Sequence, residues 1–142
     1  MQKFKAWIIW GALTLSIPIY VFVGYVVTQD AVDAVPLAPN LKLILIVVSC
    51  AMAASSFFIA KKFLSRPSSL PPPFPQPPAP DFNRWLTFHI IRWALHESIA
   101  LYGLVITFIS WTFTEMLPFA AAAIILNLLS MPRNVPNPLK TH

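Results

Sequence analysis

The sequence predicts an all-α integral membrane protein with four transmembrane helices, arranged as two hairpins that a proline-rich cytoplasmic strap joins. Three observations predict this fold: four apolar stretches of about membrane-spanning length, basic residues in every second loop, and a run of prolines between the second and third stretches. The composition agrees, because 57% of the 142 residues are hydrophobic and only 11% are charged. A soluble domain of this length could not bury so much apolar surface.

The predicted organisation has four parts. In chain order they are the first transmembrane hairpin, residues 1–66 with helices over about 6–27 and 41–60; a Pro-rich linker, residues 67–83; the second transmembrane hairpin, residues 84–132 with helices over about 85–113 and 115–131; and a cytoplasmic tail, residues 133–142. The first apolar stretch is longer than the roughly 7–15 apolar residues of a signal peptide, so it predicts an uncleaved anchor.

Local signals predict how several helices begin, bend and sit in the membrane. Pro18 is expected to kink the first helix, because it removes a backbone donor and its ring clashes with a carbonyl one turn earlier. Asn40 and Thr114 are expected to cap the second and fourth helices, with Glu115 in the positive first turn of the fourth. Aromatic residues of the first helix are expected at the membrane interfaces: Trp7, Trp10, Tyr20 and Tyr25.

The second helix contains a tract of small residues over 49–56. Ser49 and Ala53 are expected to face another helix, because small side chains let two helix backbones approach closely. The serines of this tract, Ser49, Ser55 and Ser56, allow two interpretations. The favoured one has their hydroxyls bonded back to their own helix, and the alternative is a polar lining.

The linker has prolines at positions 67, 71, 72, 73, 75, 77, 78 and 80. Such a run is compatible with neither helix nor sheet and predicts a polyproline II strap, which at ~3.1 Å per residue spans roughly 40 Å. Docking of a partner on this run is a less favoured alternative, because a tether between the two hairpins already explains the composition.

Basic residues mark one side of the predicted membrane. Lys and Arg residues cluster before the first helix, between the second and third, and after the fourth, whereas the two short loops on the other side are acidic. Because positive loops stay in the cytoplasm, both termini and the strap are predicted to be cytoplasmic. We assign the protein to the prokaryotic inner membrane on this pattern.

The third apolar stretch is the only one with ionisable groups in its interior. Glu97 needs an explanation there, because a charged side chain at the bilayer centre costs at least ~2.5–3.5 kcal/mol on insertion scales. Helical spacing places His89, Arg92 and His96 on one stripe and Glu97 on the adjacent stripe. Arg92 is therefore poorly placed to pair with Glu97. A buried, ionised Glu97 needs a partner from another helix or subunit, and otherwise it is neutral.

The depth of Glu97 depends on which tryptophans mark the interfaces. If Trp93 and Trp111 are the anchors, their separation is ~27 Å and Glu97 lies only ~6 Å below the cytoplasmic boundary. If the span begins at Trp85, Glu97 lies near the midplane. The first register is favoured, because it leaves Arg92 outside the apolar zone.

Residues 94–106, Ala-Leu-His-Glu-Ser-Ile-Ala-Leu-Tyr-Gly-Leu-Val-Ile, resemble the carboxylate-bearing helix of the proteolipid c subunits of rotary ATP synthases. In that family a Glu followed by a small residue and an aromatic-Gly-Leu segment binds the transported proton or sodium ion. The resemblance implies that Glu97 binds the ion and that Tyr102 and Gly103 form the packing segment. The family's partner helix is rich in glycine, whereas this chain has three glycines. The ending of the chain is similar to that of small bacterial four-helix membrane proteins.

Other classes of function have little support in the residues. The net charge of +5 comes from scattered basic residues, so no nucleic-acid partner is predicted. Cys50 is the single cysteine and builds neither a disulfide within the chain nor a cysteine metal site. The spacing of His89 and His96 suits no zinc site on one helix, and haem ligation by either is a less favoured alternative to interfacial solvation. We expect no enzyme activity, cofactor or metal.

Two hypotheses of function remain. The favoured one is a non-enzymatic membrane component, an accessory or assembly subunit of a larger complex, in which Glu97 and Arg92 hold helices or subunits together by polar contacts. The alternative is proton or cation translocation, with Glu97 as the ion-binding carboxylate and His96 or Arg92 tuning it. The expected partners are the lipid bilayer and other membrane subunits or a second copy of the chain.

Overall fold

The computed structural model describes residues 2–30, 36–64, 82–133 and 135, without the side chains of residues 63 and 64. Within these ranges the chain is all-helical, as predicted. The helices are α1 (Gln2–Thr28), α2 (Pro39–Ile59), α3 (Phe82–Ser110) and α4 (Leu117–Leu129), with a π-helical turn at Ala60–Leu64 and a 3₁₀ turn at Phe113–Glu115. The predicted proline strap and nearly all of the tail lie outside the described residues.

Three helical segments are long and apolar enough to cross a membrane: Gln2–Thr28, Pro39–Lys62 and Phe82–Ser110. The fourth apolar segment, Phe113–Leu129, is shorter. Many large apolar side chains of these helices point outward, including Phe22 on α1 and Phe58 on α2. Such a surface matches a hydrocarbon solvent, since water would favour polar side chains there.

Helix α3 lies at the centre, and each of the other three helices packs against it. Helix α1 also contacts α4, whereas α2 has, among the described residues, no other helix of the bundle as a substantial neighbour. Helices α1 and α2 therefore follow each other along the chain but are not packed closely against each other. Each buries its inner face against α3.

Contacts along α3 define the direction of its neighbours. Ala6, near the start of α1, lies in a cluster with Phe82 and Trp85 at the start of α3, so α1 and α3 run parallel. Ser56, near the end of α2, contacts the middle of α3, while Lys42 near the start of α2 reaches the segment beyond α3. Helix α2 is thus antiparallel to α3.

The helix starts differ from the predicted capping pattern. Ala38 is the N-cap of α2 and Met116 that of α4, and neither donates or accepts a side-chain capping hydrogen bond. The predictions of Asn40 and Thr114 as caps are therefore wrong. A proline in the first turn of each helix explains the difference, because its fixed φ and missing N–H suit that position without a side-chain cap.

Helix α3 ends earlier than predicted, at Ser110, because Trp111 adopts a left-handed backbone with φ of 54°. A non-glycine residue in this conformation is uncommon and costs roughly 1–2 kcal/mol. The turn is supported locally, since the backbone N–H of Thr112 donates to the hydroxyl of Ser110 at 3.2 Å. Helix α1, in contrast, continues through Pro18.

Helix α3 and the segment that begins α4 approach each other closely at Gly103. A β-carbon built there would lie 2.8 Å from Cβ of Phe119 and 3.2 Å from the carbonyl oxygen of Met116. Both atoms belong to rigid parts of the segment that begins α4. Only a residue without a side chain lets α3 and α4 approach this closely.

Candidate functional site

Glu97 lies in the middle of α3 and finds its partner on α1. Its carboxylate accepts a hydrogen bond of 2.5 Å from the hydroxyl of Tyr20. The partner thus comes from another helix, which is the arrangement that the spacing along α3 requires. Tyr20 was expected at a membrane interface, but its hydroxyl points to this carboxylate instead.

Trp93 lies one turn before Glu97 on α3. This indole is fully buried and its Nε1–H donates to the carbonyl oxygen of Ser130 at 3.1 Å. A ring enclosed by protein does not contact its surroundings, so the indole of Trp93 gives no support to the register that uses it as an interfacial anchor. Glu97 lies about 22 Å from the start of α3 and about 20 Å from its end, at 1.5 Å per residue. Glu97 therefore lies near the middle of α3.

A second polar cluster surrounds His96, which is fully buried. Its Nε2 lies 2.5 Å from the hydroxyl oxygen of Ser56 on α2. Its Nδ1 lies 3.2 Å from Oδ1 of Asn127 on α4. Ser130 also approaches Nδ1, at 3.5 Å, while its hydroxyl donates to the backbone of Asn127. One imidazole therefore links the three helices α2, α3 and α4.

The hydrogen bonds of this cluster are compatible with the following arrangement of protons. Arg92 donates from Nε to the hydroxyl oxygen of Ser56 at 3.1 Å, so the Ser56 proton is free to point at Nε2 of His96. Nδ1–H of His96 then donates to the side-chain carbonyl of Asn127. In this arrangement both ring nitrogens of a neutral His96 have a hydrogen-bond partner. Nδ2 of Asn127 is buried and has no partner among the described residues.

His89 lies apart from this cluster. Its Nδ1 donates to the carbonyl oxygen of Trp85 at 3.1 Å, and its ring stacks on Trp85 with 3.9 Å between centroids. The edge of Trp93 closes the other side, at 5.4 Å. Of the four predicted polar residues, the structure brings Arg92 and His96 together at Ser56. It leaves Glu97 on the α1 side and His89 in an aromatic stack.

The predicted packing residues lie on the inner faces. Tyr102 and Ala53 are partly buried against the main apolar core, and Gly103 is the close-approach position. Ser49 is buried, and its hydroxyl has no hydrogen-bond partner among the described residues. Ser56 bonds across to α3, so the favoured interpretation of a hydroxyl bonded to its own helix is wrong for this residue.

Two residues of the site were missed from the sequence. Asn127 is the one side chain with an amide in the apolar α4, and this isolation was a signal that it faces a polar partner. Trp10 of α1 donates from its indole to the carbonyl oxygen of Asn127 at 3.1 Å, so α1 joins the same region. Trp10 was expected at a membrane interface, and its aromatic character gave no sign of this contact.

The described residues contain no group of three or more His, Cys, Asp or Glu side chains that could hold a metal ion. The haem alternative also loses support. Both ring nitrogens of His96 contact protein atoms, and the ring of His89 lies between Trp85 and Trp93. Iron ligation by His96 would have to displace its hydrogen bonds.

Comparisons with protein-family models, with curated proteins and with solved structures find no match to this chain. The likeness of residues 94–106 to proteolipid c subunits stays a prediction from the sequence. Function is therefore inferred from the side-chain geometry.

Proposed function

We propose that this chain is a non-enzymatic multi-pass component of the prokaryotic inner membrane, an accessory or assembly subunit of a larger membrane complex. In this proposal the polar contacts around Glu97 and His96 hold the helices in one arrangement. One observation carries it: polar side chains from all four helices bond to one another inside the bundle, while the outward surface is largely apolar.

Charge placement supports the proposed topology. One end of the bundle carries basic residues, and the other carries Asp30 and the pair of Lys42 and Glu115. The basic residues that the structure describes at the first end are Lys3, Lys5, Lys61, Lys62, Arg84 and Arg133. Positive residues are retained in the cytoplasm, so both termini and the proline strap are placed there. Four spans follow, with the short fourth one extended by the 3₁₀ turn.

Physical chemistry supports a holding role for the polar residues. In lipid, apolar side chains gain little by leaving the acyl chains, so helix association depends on close packing and interhelical hydrogen bonds. Each such hydrogen bond contributes roughly 0.6–2 kcal/mol in membranes. Glu97 and His96 connect α3 to α1, α2 and α4, which makes α3 the helix that determines the arrangement.

The packing of α2 supports the proposal of a further subunit. Within the part of the chain that the structure describes, this helix has α3 as its one substantial neighbour, and its outward face offers a surface for lipid or another protein. Small residues on that face, Cys50, Ala51 and Ala54, are exposed. Small side chains would let a helix of a partner approach closely.

Copurification in a mild detergent tests the assembly role. We expect a partner in a fixed stoichiometry, and we expect Ala54→Trp on the outward face of α2 to reduce its amount. Ala12→Trp, on the exposed face of α1, is the control and should retain the partner. A monodisperse monomer that carries no other protein would contradict the accessory-subunit proposal.

Ion translocation is the second candidate, and the pair of Glu97 and Tyr20 favours it. The carboxylate lies at the middle of α3, is only partly buried, and accepts one short hydrogen bond. A carboxylate inside a membrane is energetically costly, and such a residue is therefore expected to serve structure or transport.

Carbodiimide labelling and proton flux in vesicles distinguish this candidate from a purely structural role. Glu97→Gln should abolish both if the site carries ions, while Glu115→Gln at the end of the bundle serves as the matched control. Equal flux and equal labelling in the wild type and Glu97→Gln would eliminate translocation through this residue.

A further inference from the structure

We draw no further inference here: the strongest candidate, the cluster of Ser56, His96 and Asn127 between α2, α3 and α4, in which a hydroxyl, an imidazole and an amide follow one another at 2.5 and 3.2 Å, is fully buried and belongs to the site already described.

Discussion

Helices α3 and α2 are both long enough to span a membrane, yet they hold opposite positions in the bundle. Half of the most apolar 18-residue window of α3 is buried, against 11% of the matching window of α2. The sequence of α3 is the less apolar of the two. The more polar helix is therefore the central one, and the more apolar helix lies at the periphery.

This difference reverses the usual rule of soluble proteins and is the one that a lipid solvent favours. Lipid is as apolar as leucine, so an apolar helix gains little by leaving it, whereas a polar side chain gains by finding a partner inside. His96, Glu97 and Arg92 drive α3 to the centre because each needs a hydrogen-bond partner from a neighbour. The predictions below test whether these contacts, rather than apolar burial, distinguish α3 from α2.

Replacement of His96 by leucine should have the largest effect. It removes the link between Ser56 and Asn127 and leaves both buried polar side chains short of a partner. Unsatisfied buried groups cost roughly 1–3 kcal/mol each, so we expect a loss of about 2–4 kcal/mol in the free energy of unfolding. Titration of detergent micelles with SDS, followed by circular dichroism, measures it. Leu101→Met on the outer face is the control, and equal stability of His96→Leu and wild type would contradict the proposed network.

Two glycines provide the next comparison. Gly103→Ala should destabilise the bundle by roughly 1–3 kcal/mol, because the new methyl group overlaps Phe119 and overpacks the contact of α3 with α4. A β-carbon at Gly11 meets no atom within 4 Å, so Gly11→Ala should be neutral or stabilising by up to ~1 kcal/mol. The same SDS titration compares both variants. A larger loss for Gly11→Ala than for Gly103→Ala would refute the assigned packing.

The contact between α1 and α3 is tested at its hydroxyl. Tyr20→Phe removes the donor to Glu97 and should cost about 1–2 kcal/mol, within the range for hydrogen bonds to polar or charged acceptors. Tyr25→Phe removes a hydroxyl from an exposed ring on the same helix and should have little effect. Thermal unfolding in detergent measures both variants. Equal midpoints for the two variants would show that the hydroxyl of Tyr20 does not stabilise the bundle.

The smallest effect is expected at the ion pair of Lys42 and Glu115. These side chains lie 2.6 Å apart and remain partly exposed, at 43% and 28%. Exposed pairs contribute roughly 0–1 kcal/mol, and salt screens them. A double-mutant cycle with Lys42→Gln and Glu115→Gln should therefore give a coupling below about 1 kcal/mol that falls as NaCl is raised. A coupling that is large and insensitive to salt would place this pair in a buried environment instead.

Much of the fold could be predicted because apolar length and charge alternation are local properties. The four helical stretches, the special status of the third one and the need of Glu97 for a partner on another helix follow from residue type and spacing. The identity of that partner could not be predicted. Tyr20 carries the same aromatic signal as Tyr25, and only the packing of α1 on α3 separates an inward hydroxyl from an exposed one.

The sequence by itself determined that the chain forms apolar helices, where each approximately begins and ends, and which ends are basic, since these depend on neighbours within a few residues. Tertiary structure alone decided that α3 is central, that Trp93 is enclosed and that Asn127 meets His96. The physical reason is that the residues of one helix point in all directions around its axis. Which face is buried depends on the shape and polarity of helices that lie far away along the chain.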